Sequence, residues 1–242
     1  MGERALSEAS DEVLFCGWRD GDRAAGELLF ARHFNAIYAF FDHKALGDVG
    51  DLVQRTFIGC IEARERFRGA SSFRTFLFAI ARHELYAYYR AQKAGAQLDF
   101  DRSSLMDLSP GITSVVRKAT DKSLLLDGLR TMPLEMQVAL ELHFWQGLSG
   151  PQMAEILEIP EGTVRSRIRR ALERLRETMS SPPYVGLVPS PVDDFEAWAA
   201  FFASPRSTAM GGPVERLAAW RAWASDVALW SLKGYSPFGV VD

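Results

Sequence analysis

The chain has 242 residues, enough for one large domain or two small ones, and its 48% hydrophobic content excludes a wholly disordered polymer. Charges nearly balance, 28 Lys and Arg against 31 Asp and Glu, so a uniformly basic coat for nucleic acid is excluded and a local basic face is not. The 2 cysteines, Cys16 and Cys60, form no CxxC pair, which excludes a disulfide framework and a cysteine-rich zinc site and fits a reducing compartment.

In chain order, almost every periodic signal is helical. Over residues 12–41 the apolar positions Leu14, Trp18, Leu28, Leu29, Phe34, Ile37 and Phe41 recur at helical spacing, interrupted at Gly21-Asp22. Leu52, Val53, Phe57, Cys60 and Ile61 repeat the pattern over 51–67. Gly69-Ala70-Ser71-Ser72 breaks it, and Ser72 is an N-cap for a helix from Phe73 to about Gln92. No run alternates with period two, so no sheet is expected. The stretch AGAQLDFDRSSLMDLSPGITS has no periodic apolar face and reads as a linker. Periodicity returns at Leu124, runs past Met132-Pro133 to Trp145 and stops at Gly147, followed by helices near 149–157 and 161–179. SSPPYVGLVPSP is a second linker, and the tail beyond it holds four of the 6 tryptophans. The expected fold is all-α. It comprises a small helical domain (10–92), a flexible linker (93–122), a second helical domain (123–180) and a Trp-rich helical C-terminal extension (181–242).

The most informative stretch is Leu148 to Met179. Ser149 is an N-cap candidate, and Met153, Ile156 and Leu157 give a short helix an apolar face. Glu158-Ile159-Pro160 makes the turn, with Pro160 at the edge of the next helix, where its missing N–H is harmless. That helix places Val164, Ile168, Ala171, Leu172, Leu175 and Met179 on one face. The other carries Arg165, Arg167, Arg169, Arg170, Arg174 and Arg176, against only Glu161, Glu173 and Glu177 on the whole helix. A plain αα-hairpin with a solvated face is the bland explanation. The lopsided sign, the small Ala154 at the turn and the basic second helix together favour a helix-turn-helix for the DNA major groove.

From here the chain resembles a known family. IPEGTVRSRIRRALERLRE is similar to the end of region four in the extracytoplasmic-function (ECF) sigma factors of bacterial RNA polymerase, and LRTMPLEMQVALELHFWQGLSGPQMAEIL to the start of that domain. DLVQRTF (51–57) resembles the family's core-polymerase-binding motif, and FRGASSFRTFLFAIARHELYAYYR (67–90) its promoter −10 segment. The resemblance spans about residues 10–180. It implies a dissociable subunit that gives core RNA polymerase its promoter specificity, touching the β′ clamp coiled coil and the β flap. It assigns Arg165, Ser166, Arg167, Arg169, Arg170 and Arg174 to the −35 element. The −10 element falls to Arg66, Phe67, Arg68, Ser71, Ser72, Arg74, Arg82 and Arg90, where seven cations over 62–93 face three carboxylates among interleaved aromatics. Asp51, Gln54 and Arg55 form the polymerase-facing row. The family leaves an anti-sigma factor open as a further partner. Several positions depart from its pattern: Arg55 stands where Glu is common, Gly50 precedes it, Phe76 replaces Trp, His83 replaces Asn, and Glu158 takes a frequent Gly position.

The alternative is a helix-turn-helix regulator that binds DNA without joining polymerase, although segment 51–92 has no role in one. An enzyme is not expected: the 4 histidines are dispersed, and there is no HExxH, GxGxxG, P-loop or GxSxG motif. No cofactor or metal is expected. The N-terminus lacks a secretory apolar stretch, and no apolar run approaches the roughly 20 residues of a membrane span, so the expected location is the cytoplasm without membrane insertion. In the tail, Trp220, Trp223, Val227 and Trp230 form one helical stripe, expected to dock on residues 10–180, on polymerase or on a second copy.

Overall fold

The computed structural model describes residues 8–42, 44–45, 49–67, 69, 71–93, 98–108 and 127–180. The expectations for Arg68, for the rest of the 93–122 linker and for the 181–242 extension lie outside the described residues. The elements are α1 (Asp11–Arg19), α2 (Arg23–Asp42), α3 (Val49–Ala63) with a 3-10 turn at Arg64–Arg66, α4 (Phe73–Gln92), α5 (Leu105–Leu108), α6 (Leu134–Leu140) continuing as a π turn at Glu141–Trp145, α7 (Gly150–Leu157) and α8 (Glu161–Met179). Among the described residues there is no strand, only an isolated bridge between Ser104 and Pro133.

The first domain is built by α1–α4. Ser10 caps α1 by accepting the Val13 N–H, and Asp11 and Glu12 place negative charge on its first turn. Gly21 then turns the chain at φ 100°, a conformation costly for any residue with a Cβ, and the Asp22 carboxylate accepts the Ala25 N–H at 3.2 Å to start α2. An aromatic cluster fills the centre: Phe30 packs on Trp18, Phe57 and Phe73, and Phe40 on Phe41 and Phe78. Ser72 caps α4 as expected, accepting the Thr75 N–H at 3.1 Å.

The second domain is α6–α8. The single period read from Leu124 to Trp145 is divided in the structure. A helical turn at 127–130 ends at Thr131, and Pro133, which has no N–H to donate, stands at the start of α6. In α8 the expected apolar face is buried, with Val164, Ala171, Leu172, Leu175 and Met179 all at 0% exposure. Ser149 and Gln152 form a capping box on α7, with the Gln152 carboxamide accepting the Ser149 N–H at 2.9 Å.

Two features differ from the sequence expectation of domains on a tether. Residues 98–108, read as part of a flexible linker, are packed: Phe100, Leu105 and Leu108 join the core, and Phe100 stacks on Tyr86 with centroids 4.3 Å apart. Their apolar side chains are few and not periodic, so no helical signal marked them. The two domains also share one continuous core, with α4 lying against α7.

Candidate nucleic-acid and polymerase interface

The helix-turn-helix geometry follows from local chemistry. Glu158 adopts φ 57°, ψ 38°, the left-handed cap that a frequent Gly position demands; among the described residues no other non-glycine has positive φ. This cap ends α7, and Pro160 opens α8. The buried stripe of α8 fixes its rotation, so Arg165, Ser166, Arg169, Arg170 and Arg174 point to solvent. Arg165 pairs with Glu161 at 2.5 Å and Arg169 with Glu173 at 2.9 Å, both i,i+4 pairs on the surface. The Arg170 guanidinium donates back to the Ser166 carbonyl at 3.3 Å. These long cationic side chains lie along one exposed ridge, held loosely enough to be exchanged for phosphates or guanine edges.

Arg167 does not join that ridge. It is 7% exposed and donates to Glu135 at 2.5 Å and to Asp101 at 2.9 Å. The reason is angular: on α8 it precedes Ile168 and lies three residues after Val164, at the margin of the apolar stripe.

The expected −10 residues separate in the same way. Arg66 and Arg90 are exposed, and Arg90 lies over the Phe100 ring at 5.6 Å. Ser71 and Ser72 are half-buried at the start of α4, with Ser72 spent on its cap. Phe67 packs on Phe15 and Phe76 at centroid distances of 4.8 and 4.6 Å and is part of the packing, not a free stacking platform. Arg74 is half-buried and donates to Gln146 of the second domain at 2.8 Å; burial draws its proton affinity down, against the pull of Asp11. Arg82 is 7% exposed and sits inside the seam between the domains.

That seam holds residues the sequence did not single out. Glu135, 5% exposed, accepts from Arg82 at 2.9 Å through one oxygen, which also accepts the Tyr86 hydroxyl, and from Arg167 at 2.5 Å through the other. Arg82 further donates to the Ile156 carbonyl and to Glu158, each at 3.3 Å. Burial opposes the charge on Arg82, but Tyr86 and Glu135 outweigh it and raise its proton affinity; burial and Glu135 likewise hold the Tyr86 hydroxyl protonated. Nearby, Lys44 of the first domain, 0% exposed, is ion-paired with Glu141 on the π turn of the second. Burial lowers the Lys44 pKa, and Glu141 counters part of that shift. A signal for Glu141 was available: it follows Leu134 and Val138 at helical spacing, a carboxylate in an apolar row.

The row expected to face polymerase is borne by α3. Leu52, Val53 and Phe57 are buried, Asp51 and Arg55 are exposed and paired at 2.9 Å, and Gln54 is half-buried. Arg55 also reaches electrostatically to α4. Burial raises the Glu84 pKa, and the charge of Arg55 pulls it back down. Among the described residues no group of His, Cys, Asp and Glu is placed to hold a metal ion, and no helix is long and apolar enough to cross a membrane.

Comparison with known proteins gives this arrangement its family. The sigma-70 region 2 model matches residues 30–95 and the sigma-70 region 4 model residues 122–175. An ECF RNA polymerase sigma-E factor of Haemophilus influenzae is 30% identical over 179 residues, covering 69% of this chain and 94% of that protein. The one from Escherichia coli is 31% identical over 178 residues, covering 69% and 93%. Among solved structures, the sigma factor RpoE of Bartonella quintana, in complex with the anti-sigma factor NepR, matches at 25% identity and a TM-score of 0.49, covering 65% of this chain and 96% of that one. The protein therefore belongs to the extracytoplasmic-function sigma factors of the sigma-70 family, non-enzymatic initiation factors through which RNA polymerase selects its promoters.

Proposed function

We propose that residues 10–92 bind core polymerase and the −10 element, and that residues 123–180 bind the −35 element. The observation that carries this reading is the exposed cationic ridge of α8, opposite a stripe buried to 0% and set by the Glu158 cap. Arg165, Ser166, Arg169, Arg170 and Arg174 enter the major groove. Arg167 joins them once the second domain leaves the first. Arg66, Arg74, Arg82 and Arg90 follow the −10 phosphates, with Ser71, Ser72 and the loop at Phe67 and Arg68 beside the unpaired strand. Asp51, Gln54 and Arg55 dock on the β′ clamp. The protein acts by binding alone, in the cytoplasm, without a cofactor.

The test is run-off transcription by core polymerase on a supercoiled genomic library, with and without the protein. On a promoter recovered this way, Arg165→Ala and Arg170→Ala should each cost about 1–3 kcal/mol of −35 affinity and relax base preference. Asp51→Ala, Gln54→Ala and Arg55→Ala together should abolish holoenzyme formation in a protein that still folds. Unchanged −35 selectivity in both arginine variants would overturn the α8 assignment. A regulator that does not join polymerase predicts no dependence on the α3 row, and nothing in the exposed Asp51–Arg55 pair favours it.

A further inference from the structure

The helix that carries Asp51, Gln54 and Arg55 does not stand alone on its exposed side, because α4 lies against it. A Cβ added to Gly59 of α3 would come within 3.1 Å of the Ile80 side chain of α4, so the two helices approach closely at this pair. Only residues 64–72 join them, and a connection that short brings α4 back antiparallel to α3. One turn from the contact, back along α3 and forward along α4, Arg55 comes opposite Glu84. A further turn back on α3 stands Asp51, paired with Arg55 at 2.9 Å. The charges agree with this register: Arg55 acts most strongly on Glu84, followed by Asp51, His83 and Glu62.

Glu84 is half-buried, and burial raises its pKa in spite of the pull of Arg55. Among the described residues it has neither a hydrogen-bond donor nor an ion-pair partner. The Arg55 guanidinium is paired with Asp51, and the His83 ring lies 3.4 Å from Glu158. A carboxylate that has lost part of its hydration without gaining a donor is destabilising, and a cation supplied from outside would offset that cost. The surroundings say what kind of partner brings it. Asp51, Glu62 and Glu84 stand around Arg55, so the strip is acidic on balance and repels nucleic-acid phosphate. It fits a basic protein surface.

We propose that Glu84 is a further contact residue of the polymerase-docking surface: with Asp51 it flanks Arg55, making an acid–base–acid strip across α3 and α4 whose Glu84 end receives a lysine or arginine of polymerase. The inference rests on the docking role proposed above for Asp51, Gln54 and Arg55, and it widens that surface from one helix to two. It also divides the work among the charges. Arg55, 57% exposed but set between two carboxylates, presents little uncompensated charge to a partner. Glu84, which has no cation of its own, is the group whose charge a basic partner residue completes. The same α4 turn that carries Glu84 toward α3 carries Arg82 to its opposite side, so docking at Glu84 leaves Arg82 untouched.

The experiment uses the full chain and measures its binding to immobilised core polymerase at several salt concentrations. Glu84→Gln keeps the shape and removes the charge. The expected result is a core affinity lowered about tenfold at low salt, with the difference shrinking as salt rises. The thermal midpoint should be unchanged or higher, since an unpartnered carboxylate is lost, and −35 duplex affinity should not move. Glu84→Lys, which sets a like charge against the basic partner group, should weaken the complex further. Wild-type core affinity in both folded variants overturns the inference. So does a loss of affinity that follows a lowered thermal midpoint and disappears when Arg55→Gln is added to Glu84→Gln, because Glu84 then serves only Arg55. Asp51→Ala keeps the two readings apart. If Asp51→Ala and Glu84→Gln both bind core polymerase as the wild type does, the docking surface itself falls; if only Asp51→Ala weakens the complex, the surface stands and Glu84 lies outside it.

Discussion

Replacing Lys44 by Met and Glu141 by Leu, singly and together, isolates the second polar tie between the domains. Lys44 is 0% exposed, and its ammonium is satisfied by Glu141 and by the Phe40 carbonyl, with the Phe40 ring centroid 4.2 Å away. Lys44→Met leaves a buried carboxylate without its cation, the other oxygen accepting from the Gln137 amide at 3.1 Å. Glu141→Leu leaves a buried ammonium. Breaking a buried pair in this way costs about 3–5 kcal/mol, whereas replacing both partners by apolar groups of similar size is often neutral or stabilising. At about 2–4 °C per kcal/mol, each single variant should lose roughly 6–20 °C of Tm and the double variant should recover most of it. The pH dependence supplies a second reading. Burial holds the Lys44 pKa below its ordinary 10.5, so between that lowered value and 10.5 the unfolded chain binds the more protons. The share of stability that depends on Lys44 therefore rises with pH across this window and is absent from the double variant. Thermal unfolding of the four proteins, followed by circular dichroism at several pH values, measures both. Additive losses in the double variant would refute the claim that the two side chains are coupled across the seam.

Two further predictions concern the first domain. Asp11 is held below its ordinary pKa of 3.8, first by the hydrogen bond from His33 and then by Arg32, so its contribution is complete above 3.8 and is lost as the pH falls through the lowered value; Asp11→Asn should flatten that acid limb of the unfolding curve. At Gly26 an added Cβ would lie 2.3 Å from the Trp18 ring, which is wedged between Phe15, Phe30 and Arg64. Gly26→Ala should lose up to about 2 kcal/mol by chemical denaturation, because overpacking of about 1–3 kcal/mol is set against a helix-propensity gain of about 1.

The parts of the fold governed by local physics were legible. The Ser72 cap and the limits of α4 and α8 follow from spacing and capping chemistry that act within a few residues. Long-range placement was not. Residues 98–108 carry no period because they fill a gap with Phe100, Leu105 and Leu108 instead of forming a long amphipathic face. Arg82 and Arg167 read as solvated cations because a single sequence does not show which carboxylate, 53 or 32 positions away, lies opposite them.

Counting arginines on a basic helix therefore overstates the surface ready for DNA. On α8 the cations divide by angle. Those opposite the apolar stripe are exposed and carry surface pairs worth little, which phosphates replace at small cost. The one at the margin of the stripe, Arg167, has left water and is held by a buried carboxylate. The same division runs through the first domain, where Arg66 and Arg90 are free of the seam and Arg74 and Arg82 are bound into it. With the DNA roles proposed above, the carboxylates that hold the arginines count as much as the arginines themselves, and Glu135, which holds two at once, is the residue placed to compete for them.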